Sequence, residues 1–191
     1  VAPYALPSTL KFVSAAAMLP ETTYGIVAQE PRESFLARLD PRAAGRVVGF
    51  VQVEDAHDAD QLEAAVRQMA GALGTGRVDA LIGILEPLQE PLAIVRERLQ
   101  IRGMDAAEAR RFRDKAHMKD VLRANDLPCA RHVLAHDRET ALAFAREVLP
   151  LVAKPPAGAG AKDTFRVERI EDLESWMSRV PPSPSRPLLL E

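Results

Sequence analysis

The sequence predicts an α/β protein of two parts, and three observations support this fold class. Strand-like and helix-like segments alternate up to residue 104, which is typical of a small doubly wound, Rossmann-like unit. A charged helical stretch follows over residues 105–129. Residues 130–191 then show strand and helix patterns in the order β-α-β-β-α-β. We therefore expect an α/β domain at 1–104, a helical connector and a second domain at 130–191.

Apolar and β-branched runs predict the strands of the first part. They occur in the segments LKFVSAA, YGIVAQE, GRVVGFVQVED and VDALIGIL. The last segment has the continuous apolar character of a strand buried in a parallel sheet. Glu86 follows it at the carboxyl end, where α/β folds bind ligands, although a carboxylate at the start of a helix is the simpler interpretation.

Helical periodicity predicts two helices in the first part. The segment DADQLEAAVRQMAGALG carries its apolar residues on one face. Asp60 and Glu63 have the spacing of an N-cap and its partner, and Gly74 stands where such a helix stops. The segment PLAIVRERLQ predicts the second helix, with proline at its start.

The second part begins after the charged helical stretch, which ends before Pro128. Four strands are predicted in the segments ARHVLA, LVAK, TFRVE and LLLE. Two helices are predicted between them, in DRETALAFAREVL and IEDLESWMSRV. The apolar residues of the last helix fall on one side, which favours packing against a sheet.

Composition excludes several classes of protein. The chain has 191 residues and a net charge of −2, so it lacks the basic surface expected of a nucleic-acid binder. No apolar run approaches the roughly 20 residues that a membrane span needs, and no signal peptide is predicted. A single cysteine, Cys129, is compatible with a reducing compartment, so the cytoplasm is predicted. The histidines and Cys129 lack zinc-site spacing.

A glycine-containing loop, PPAGAGAKD, follows Lys154 and suggests an anion-binding site. It lacks the Gly-Lys-Ser/Thr end and the following helix of a P-loop, and it has too few glycines for a dinucleotide-binding turn. A strand follows it instead of a helix. The loop is therefore predicted to be a glycine hairpin between antiparallel strands, which can move as a lid and offer backbone N–H groups to phosphate.

Three segments in order, FRDKAHMKDVLRANDLPCARHVL, PLVAKPPAGAGAKDTFRV and PLLLE, resemble the first half of the ATP-grasp superfamily of carboxylate–amine and carboxylate–thiol ligases, which includes biotin carboxylase. The resemblance covers residues 78–191. It implies a pre-ATP-grasp domain followed by the lid subdomain of an ATP-grasp fold. There is no initiating methionine and the chain stops in RPLLLE, so we expect it to be truncated at the hinge strand, with the C-terminal half absent.

The resemblance also implies which residues bind ATP. They are Lys115, Lys154, Gly158, Ala159, Gly160, Ala161 and Glu191. Lys115 and Lys154 match the two lysines that contact the phosphates, and Glu191 lies where the hinge strand approaches the adenine amino group. The small residues match the loop that closes over the phosphates. Lys162 in this loop is either a further phosphate contact or a solvated hairpin residue.

The implied activity is that of an ATP-dependent ligase. With ATP and Mg2+ the full protein would activate a carboxylate as an acyl-phosphate, which an amine or other nucleophile attacks. Its partners would be a small carboxylate and an amine, with a homodimer possible and no nucleic acid or membrane. The catalytic and metal-binding residues of the family lie beyond this chain, so the chain by itself is expected to be inactive.

Three alternatives stay open on the sequence. The chain could belong to a non-catalytic nucleotide-binding or regulatory module of ATP-grasp descent, or to a biotin carboxylase-like enzyme. It could also be a plain α/β ligand-binding domain. The basic segment ARRFRDK is most simply an exposed helical face.

Overall fold

The structure, a computed structural model, describes residues 1–74, 76–158 and 160–191. The chain forms two compact units, an amino-terminal unit of Val1–Ala109 and a carboxy-terminal unit of Arg110–Glu191. The boundary between them lies inside the stretch 105–129 that is predicted as a helical connector. Within the described ranges, no helix is long and apolar enough to cross a lipid bilayer.

The amino-terminal unit is built around two parallel strands. Its elements are α1 (Pro7–Ala17), β1 (Tyr24–Ala28), α2 (Arg32–Ala37), α3 (Pro41–Ala44), β2 (Val47–Gln52), α4 (Ala59–Ala72), a 3-10 turn (Glu86–Leu88) and α5 (Gln89–Leu99). A further helix, α6 (Ala106–Arg113), spans the boundary between the units.

Helices cover both faces of the β1–β2 pair, as expected of a doubly wound arrangement. Because side chains alternate along a strand, Val27 and Val51 face one way and pack in a cluster with residues of α4 and α5. Ile26 and Ala28 face the other way and pack with residues of α1, α2 and α3. The layering predicted from the sequence is therefore present, but the described residues of this unit form two strands rather than the four predicted.

Two glycines allow α4 to approach this sheet closely. Gly25 of β1 and Gly49 of β2 are partners across the parallel pair. The buried Met69 side chain of α4 occupies the space where a Cβ of either glycine would lie. A methyl group at Gly25 would also come within 3.0 Å of the Gly49 carbonyl oxygen.

We expect Gly25→Ala to lower the free energy of unfolding by about 1–3 kcal/mol, because the added methyl overpacks this contact. Gly71→Ala is a matched control. Gly71 lies in α4 with nothing within 4 Å of an added Cβ, so alanine there should raise the unfolding free energy by up to about 1 kcal/mol. Urea unfolding measures both variants, and equal effects would contradict the packing argument.

Three local predictions in this unit are wrong, and two of them concern helices α1 and α4. The segment LKFVSAA belongs to helix α1, not to a strand, since Pro7 opens the helix and the buried residues Thr9, Val13 and Ala17 recur every four positions. The N-cap of α4 is Asp58 rather than Asp60, because the Asp58 carboxylate accepts hydrogen bonds from the backbone N–H groups of residues 60 and 61.

The segment VDALIGIL, residues 78–85, is also not a strand. Its carbonyl groups accept hydrogen bonds from side chains of α5 instead of from a neighbouring strand. The Arg96 guanidinium donates to the Leu81 carbonyl at 2.7 and 3.0 Å, and the Gln89 amide donates to the Gly83 carbonyl at 3.1 Å. Glu86 begins the 3-10 turn, which agrees with its interpretation as a carboxylate at a helix start.

The carboxy-terminal unit contains the predicted order β-α-β-β-α-β. After helix α7 (Lys115–Ala124) come β3 (Val133–Ala135), α8 (Arg138–Glu147), β4 (Leu151–Lys154), β5 (Phe165–Val167), α9 (Ile170–Arg179) and β6 (Leu188–Leu190). The strands form one antiparallel sheet in the order β3-β6-β4-β5. The β4–β5 connection is therefore the antiparallel hairpin that the sequence predicts.

One face of this sheet carries the core of the unit. Residues of α8 and α9 pack on alternate residues of the strands, including Leu151, Val167 and Leu190. Because side chains alternate along a strand, Lys154 and Glu191 project from the opposite face to these core residues. The Lys154 and Glu191 side chains therefore point away from α8 and α9.

Candidate functional site

Helix α7 begins at a capped turn that positions its first lysine. The Asp114 carboxylate accepts hydrogen bonds from the backbone N–H groups of Ala116 and His117 at 2.9 and 3.0 Å. Such a cap satisfies N–H groups that have no partner within the helix. The cap fixes Lys115 as the first residue of α7.

The start of α7 holds the beginning of the β4–β5 loop. The backbone N–H of Lys115 donates to the Pro156 carbonyl at 2.9 Å. Its ammonium group donates to the Gly158 carbonyl at 2.9 Å, and the Arg113 guanidinium donates to the same oxygen at 3.1 Å. Two cations therefore converge on one carbonyl of the predicted phosphate loop.

The loop between β4 and β5 contains several residues in the left-handed region of backbone conformation. Gly160, Ala161 and Asp163 all have φ between 56° and 62°, the left-handed region that only glycine enters without a steric penalty. A Cβ on Gly158 would make only ordinary van der Waals contacts. Lys162 is exposed. Ala159, the remaining predicted loop residue, lies outside the described residues.

A second cluster lies where β4 and β6 end, and it consists of Lys154, Glu191 and Lys119. Lys154 donates to Glu191 Oε1, while the Lys119 ammonium lies 2.7 Å from Glu191 Oε2. The contact at Oε2 is an ion pair between the Lys119 ammonium group and the Glu191 carboxylate. The three side chains are only 10% to 18% exposed. The largely buried Glu191 carboxylate thus lies between the ammonium groups of Lys119 and Lys154.

Backbone pairing fixes the position of Glu191. Its N–H donates to the Val152 carbonyl at 3.0 Å, and its carbonyl accepts from the Val152 N–H at 2.7 Å. Lys154 lies two residues further along β4, on the same face of the sheet as Glu191. The antiparallel pairing of β4 and β6 therefore brings these two predicted site residues together.

The electrostatics of the cluster favour a charged Glu191. Burial by itself raises the pKa of this carboxyl, but the ammonium groups of Lys119 and Lys154 outweigh burial, so the pKa lies below its ordinary value of 4.5. A lowered pKa in the folded state means that the ionised carboxylate contributes to stability above the unfolded pKa. The contribution is lost as the pH falls through the folded pKa.

We therefore expect wild-type protein to be more stable than Glu191→Gln at pH 7, with a difference that shrinks below pH 4.5. Gln has no charge at any pH, and protonated glutamate resembles it. Urea unfolding of both proteins between pH 7 and pH 3 measures this difference. A difference in unfolding free energy that stays constant over the whole range would contradict the lowered pKa.

The structure thus groups the predicted residues into two contacts, Lys115 with Gly158 and Lys154 with Glu191. Two further cations were missed by the sequence reasoning. Lys119 lies one helical turn after Lys115, so the i, i+4 spacing on α7 is a signal that could have found it. Arg113 was interpreted as part of an exposed helical face, and only the folded loop reveals its acceptor.

The chemistry of this arrangement suits an anion. Four cationic groups, Arg113, Lys115, Lys119 and Lys154, lie near the hairpin loop and the strand ends. The acceptors described above are the neutral Gly158 carbonyl oxygen and the Glu191 carboxylate. Phosphate oxygens make stronger, charge-assisted hydrogen bonds with such groups than a carbonyl does. Among the described residues, no group of three His, Cys, Asp or Glu side chains could hold a metal ion.

Several solved structures with the same fold are enzymes. An L-amino acid ligase from Bacillus licheniformis matches 94% of this chain and 40% of its own, with 19% identity and a TM-score of 0.66. The biotin carboxylase domain of 2-oxoglutarate carboxylase from Hydrogenobacter thermophilus, a dimer in complex with MgADP, ADP and bicarbonate, matches 95% and 41%, with 20% identity and a TM-score of 0.65. N5-carboxyaminoimidazole synthetase from Staphylococcus aureus, in complex with ADP, matches 95% and 44%, with 14% identity and a TM-score of 0.66.

These likenesses identify the fold. The described α/β chain has the same fold as a part of each of these enzymes. It spans about two-fifths of the length of the solved structures that it matches. No protein-family model matches the sequence, and no curated protein matches it.

Proposed function

We propose that this chain is the amino-terminal part of an ATP-grasp ligase and contributes to the binding of Mg-ATP. In the whole protein, the bound nucleotide would phosphorylate a carboxylate, and an amine or other nucleophile would attack the acyl-phosphate. The observation that carries the proposal is the arrangement of lysines on α7 and β4 around the hairpin loop and Glu191. The resemblance of the fold to enzymes crystallised with ADP supports it.

The proposed role of the lysines is to position and neutralise the polyphosphate. Lys154 would exchange the Glu191 carboxylate for a phosphate oxygen, and Lys115 would exchange the Gly158 carbonyl. Phosphoryl transfer requires little covalent chemistry from side chains, so its rate depends on position and charge. Both exchanges replace an internal acceptor with one that carries more negative charge.

The proposed role of the loop is to cover the phosphates. Residues Gly158, Gly160 and Ala161, with Ala159 between them, would offer backbone N–H groups to phosphate oxygens once the Gly158 carbonyl is released. Glu191 would accept a hydrogen bond from the adenine amino group at the end of β6. These assignments follow the family resemblance residue by residue.

Magnesium would enter with the nucleotide, because Mg2+ in such enzymes is held by substrate phosphates and waters together with one or two carboxylates. We assign no magnesium ligand among the described residues, where no cluster of three candidate side chains occurs. The ion would neutralise charge on the phosphates. The part played by this chain is to hold the nucleotide.

The substrates and assembly of the whole protein are also proposals, since the chain spans only part of the matched structures. We propose a small carboxylate and an amine as substrates. A homodimer is proposed because the biotin carboxylase domain is a dimer. Two further statements stay predictions. One is the division of the chain into a preceding domain at 1–104, a connector and a lid subdomain at 130–191. The other is the cytoplasmic location.

Isothermal titration of the intact protein with Mg-ADP tests nucleotide binding, and ADP release from Mg-ATP with panels of carboxylates and amines tests the reaction. Binding together with ADP release that requires both a carboxylate and an amine supports the ligase. ADP release that requires bicarbonate favours the biotin carboxylase-like alternative. The resemblance of the fold to a biotin carboxylase domain supports this alternative. Binding without turnover favours a non-catalytic module, and absence of binding overturns the nucleotide site.

A further inference from the structure

We propose that Lys119 is a positioning residue of the nucleotide site, which keeps the Glu191 carboxylate paired while Lys154 contacts a phosphate. The inference rests on the function proposed above and assigns a role to a residue that the family resemblance does not supply. Lys119 acts through Glu191 rather than on the nucleotide itself.

Two lysines lie on the same face of α7, because Lys115 and Lys119 are four positions apart in the sequence. Lys115 contacts the hairpin loop at Gly158, whereas Lys119 contacts the end of β6 at Glu191. One helix face thus supports both the loop and the strand end that form the proposed site.

The Lys119 side chain is almost completely buried. Lys119 is 8% exposed as a whole residue and its side chain is 10% exposed, whereas lysine is almost never buried unless it is paired. Its partner is Glu191 Oε2 at 2.7 Å. A buried charge without a partner costs several kcal/mol, so each member of this pair holds the other in place.

Binding of a phosphate by Lys154 would change the partners of Glu191. In the structure, each oxygen of Glu191 faces a different ammonium group, Lys119 at Oε2 and Lys154 at Oε1. When Lys154 moves to a phosphate, the half-buried carboxylate would lose one of its two cations. Lys119 remains, so Glu191 stays charged and aligned at the end of β6.

The experiment uses the intact protein and Mg-ADP as the probe. Isothermal titration compares the wild type, Lys119→Met, Lys119→Arg, Glu191→Gln and the double variant Lys119→Met/Glu191→Gln. Lys11→Met is the matched control, since Lys11 is an exposed lysine of α1. Methionine keeps most of the aliphatic volume and removes the charge. Circular dichroism checks folding, and Lys119→Gln replaces Lys119→Met if the latter does not fold.

We expect Lys119→Met to weaken Mg-ADP binding about tenfold, within the range of couplings between residues in contact. Lys119→Arg should recover most of this loss, and Lys11→Met should bind as the wild type does. In the Glu191→Gln background, Lys119→Met should change the affinity less than about twofold. Equal losses with and without Glu191, or no loss at all, would overturn the role of Lys119 as a residue that acts through Glu191.

A carboxyl-carbon NMR titration gives a readout without nucleotide. Removal of one ammonium group should raise the pKa of Glu191 in Lys119→Met, and an unchanged titration midpoint would also overturn the inference. If the wild type binds Mg-ADP and Lys119→Met binds equally well, only the role of Lys119 fails. If the wild type does not bind Mg-ADP, the proposed nucleotide site itself fails and the inference falls with it.

Discussion

Replacement of Lys154 by methionine is expected to weaken Mg-ADP binding by the intact protein roughly 10- to 100-fold. The variant removes an ammonium group that should make a charge-assisted hydrogen bond to phosphate, and the loss of such a bond costs about 1.5–3 kcal/mol. Methionine preserves the unbranched stem. The β4–β6 pairing uses the backbone of Lys154 and Leu189, so the strand should form in the variant.

Lys11→Met provides the same chemical change at an exposed position of α1, and it should leave the affinity unchanged. Isothermal titration with Mg-ADP at two salt concentrations measures both variants. The wild-type affinity should fall more steeply with salt than that of Lys154→Met, since one charge contact is lost. Unchanged Mg-ADP affinity in a folded Lys154→Met protein would remove this lysine from the nucleotide site.

Leu173→Ala is expected to lower the free energy of unfolding of the carboxy-terminal unit by about 2–5 kcal/mol. Leu173 lies on α9, is fully buried, and packs in the cluster that includes Leu151, Val167 and Met177. Truncation removes apolar contacts and leaves a cavity between the helix and the sheet. A loss of this size is a large fraction of the stability of a typical domain.

Leu127→Ala is the matched control, because Leu127 belongs to the same unit but is 52% exposed. Its effect should stay within about 0.5 kcal/mol. Urea unfolding followed by far-ultraviolet circular dichroism measures both variants, and Trp176, which packs beside the same cluster, gives a fluorescence signal for this unit. Similar small losses in both variants would contradict the placement of Leu173 in the core.

The carboxy-terminal unit could be predicted well because its signals are local. The apolar residues of α8 and α9 recur with helical spacing, and a glycine-containing loop joins two short strands. Both local patterns favour the structure that tertiary packing also stabilises. The failures in the amino-terminal unit have the opposite cause. A strand requires a partner. In residues 78–85 only some apolar residues, such as Leu81, pack in the core, while Arg96 and Gln89 donate to the carbonyl groups.

The candidate site was predicted only in part for a related reason. Lys154 and Glu191 follow recognisable strand segments, so a pattern can indicate them. The i, i+4 spacing from Lys115 can indicate Lys119, but its partner Glu191 is 72 residues further along the sequence. The folded β6 strand brings the two charges together, and no local feature of α7 reports that partner.

The position of β6 has a consequence for the synthesis of the protein. This strand is the last of the sheet in the sequence, but it lies between β3 and β4, which do not pair with each other. Until residues 188–190 leave the ribosome, β3 and β4 both present an unpaired edge, and such edges can associate with other chains. We infer that the sheet of this unit closes only after β6 has been synthesised, in the step that also brings Glu191 to its lysines.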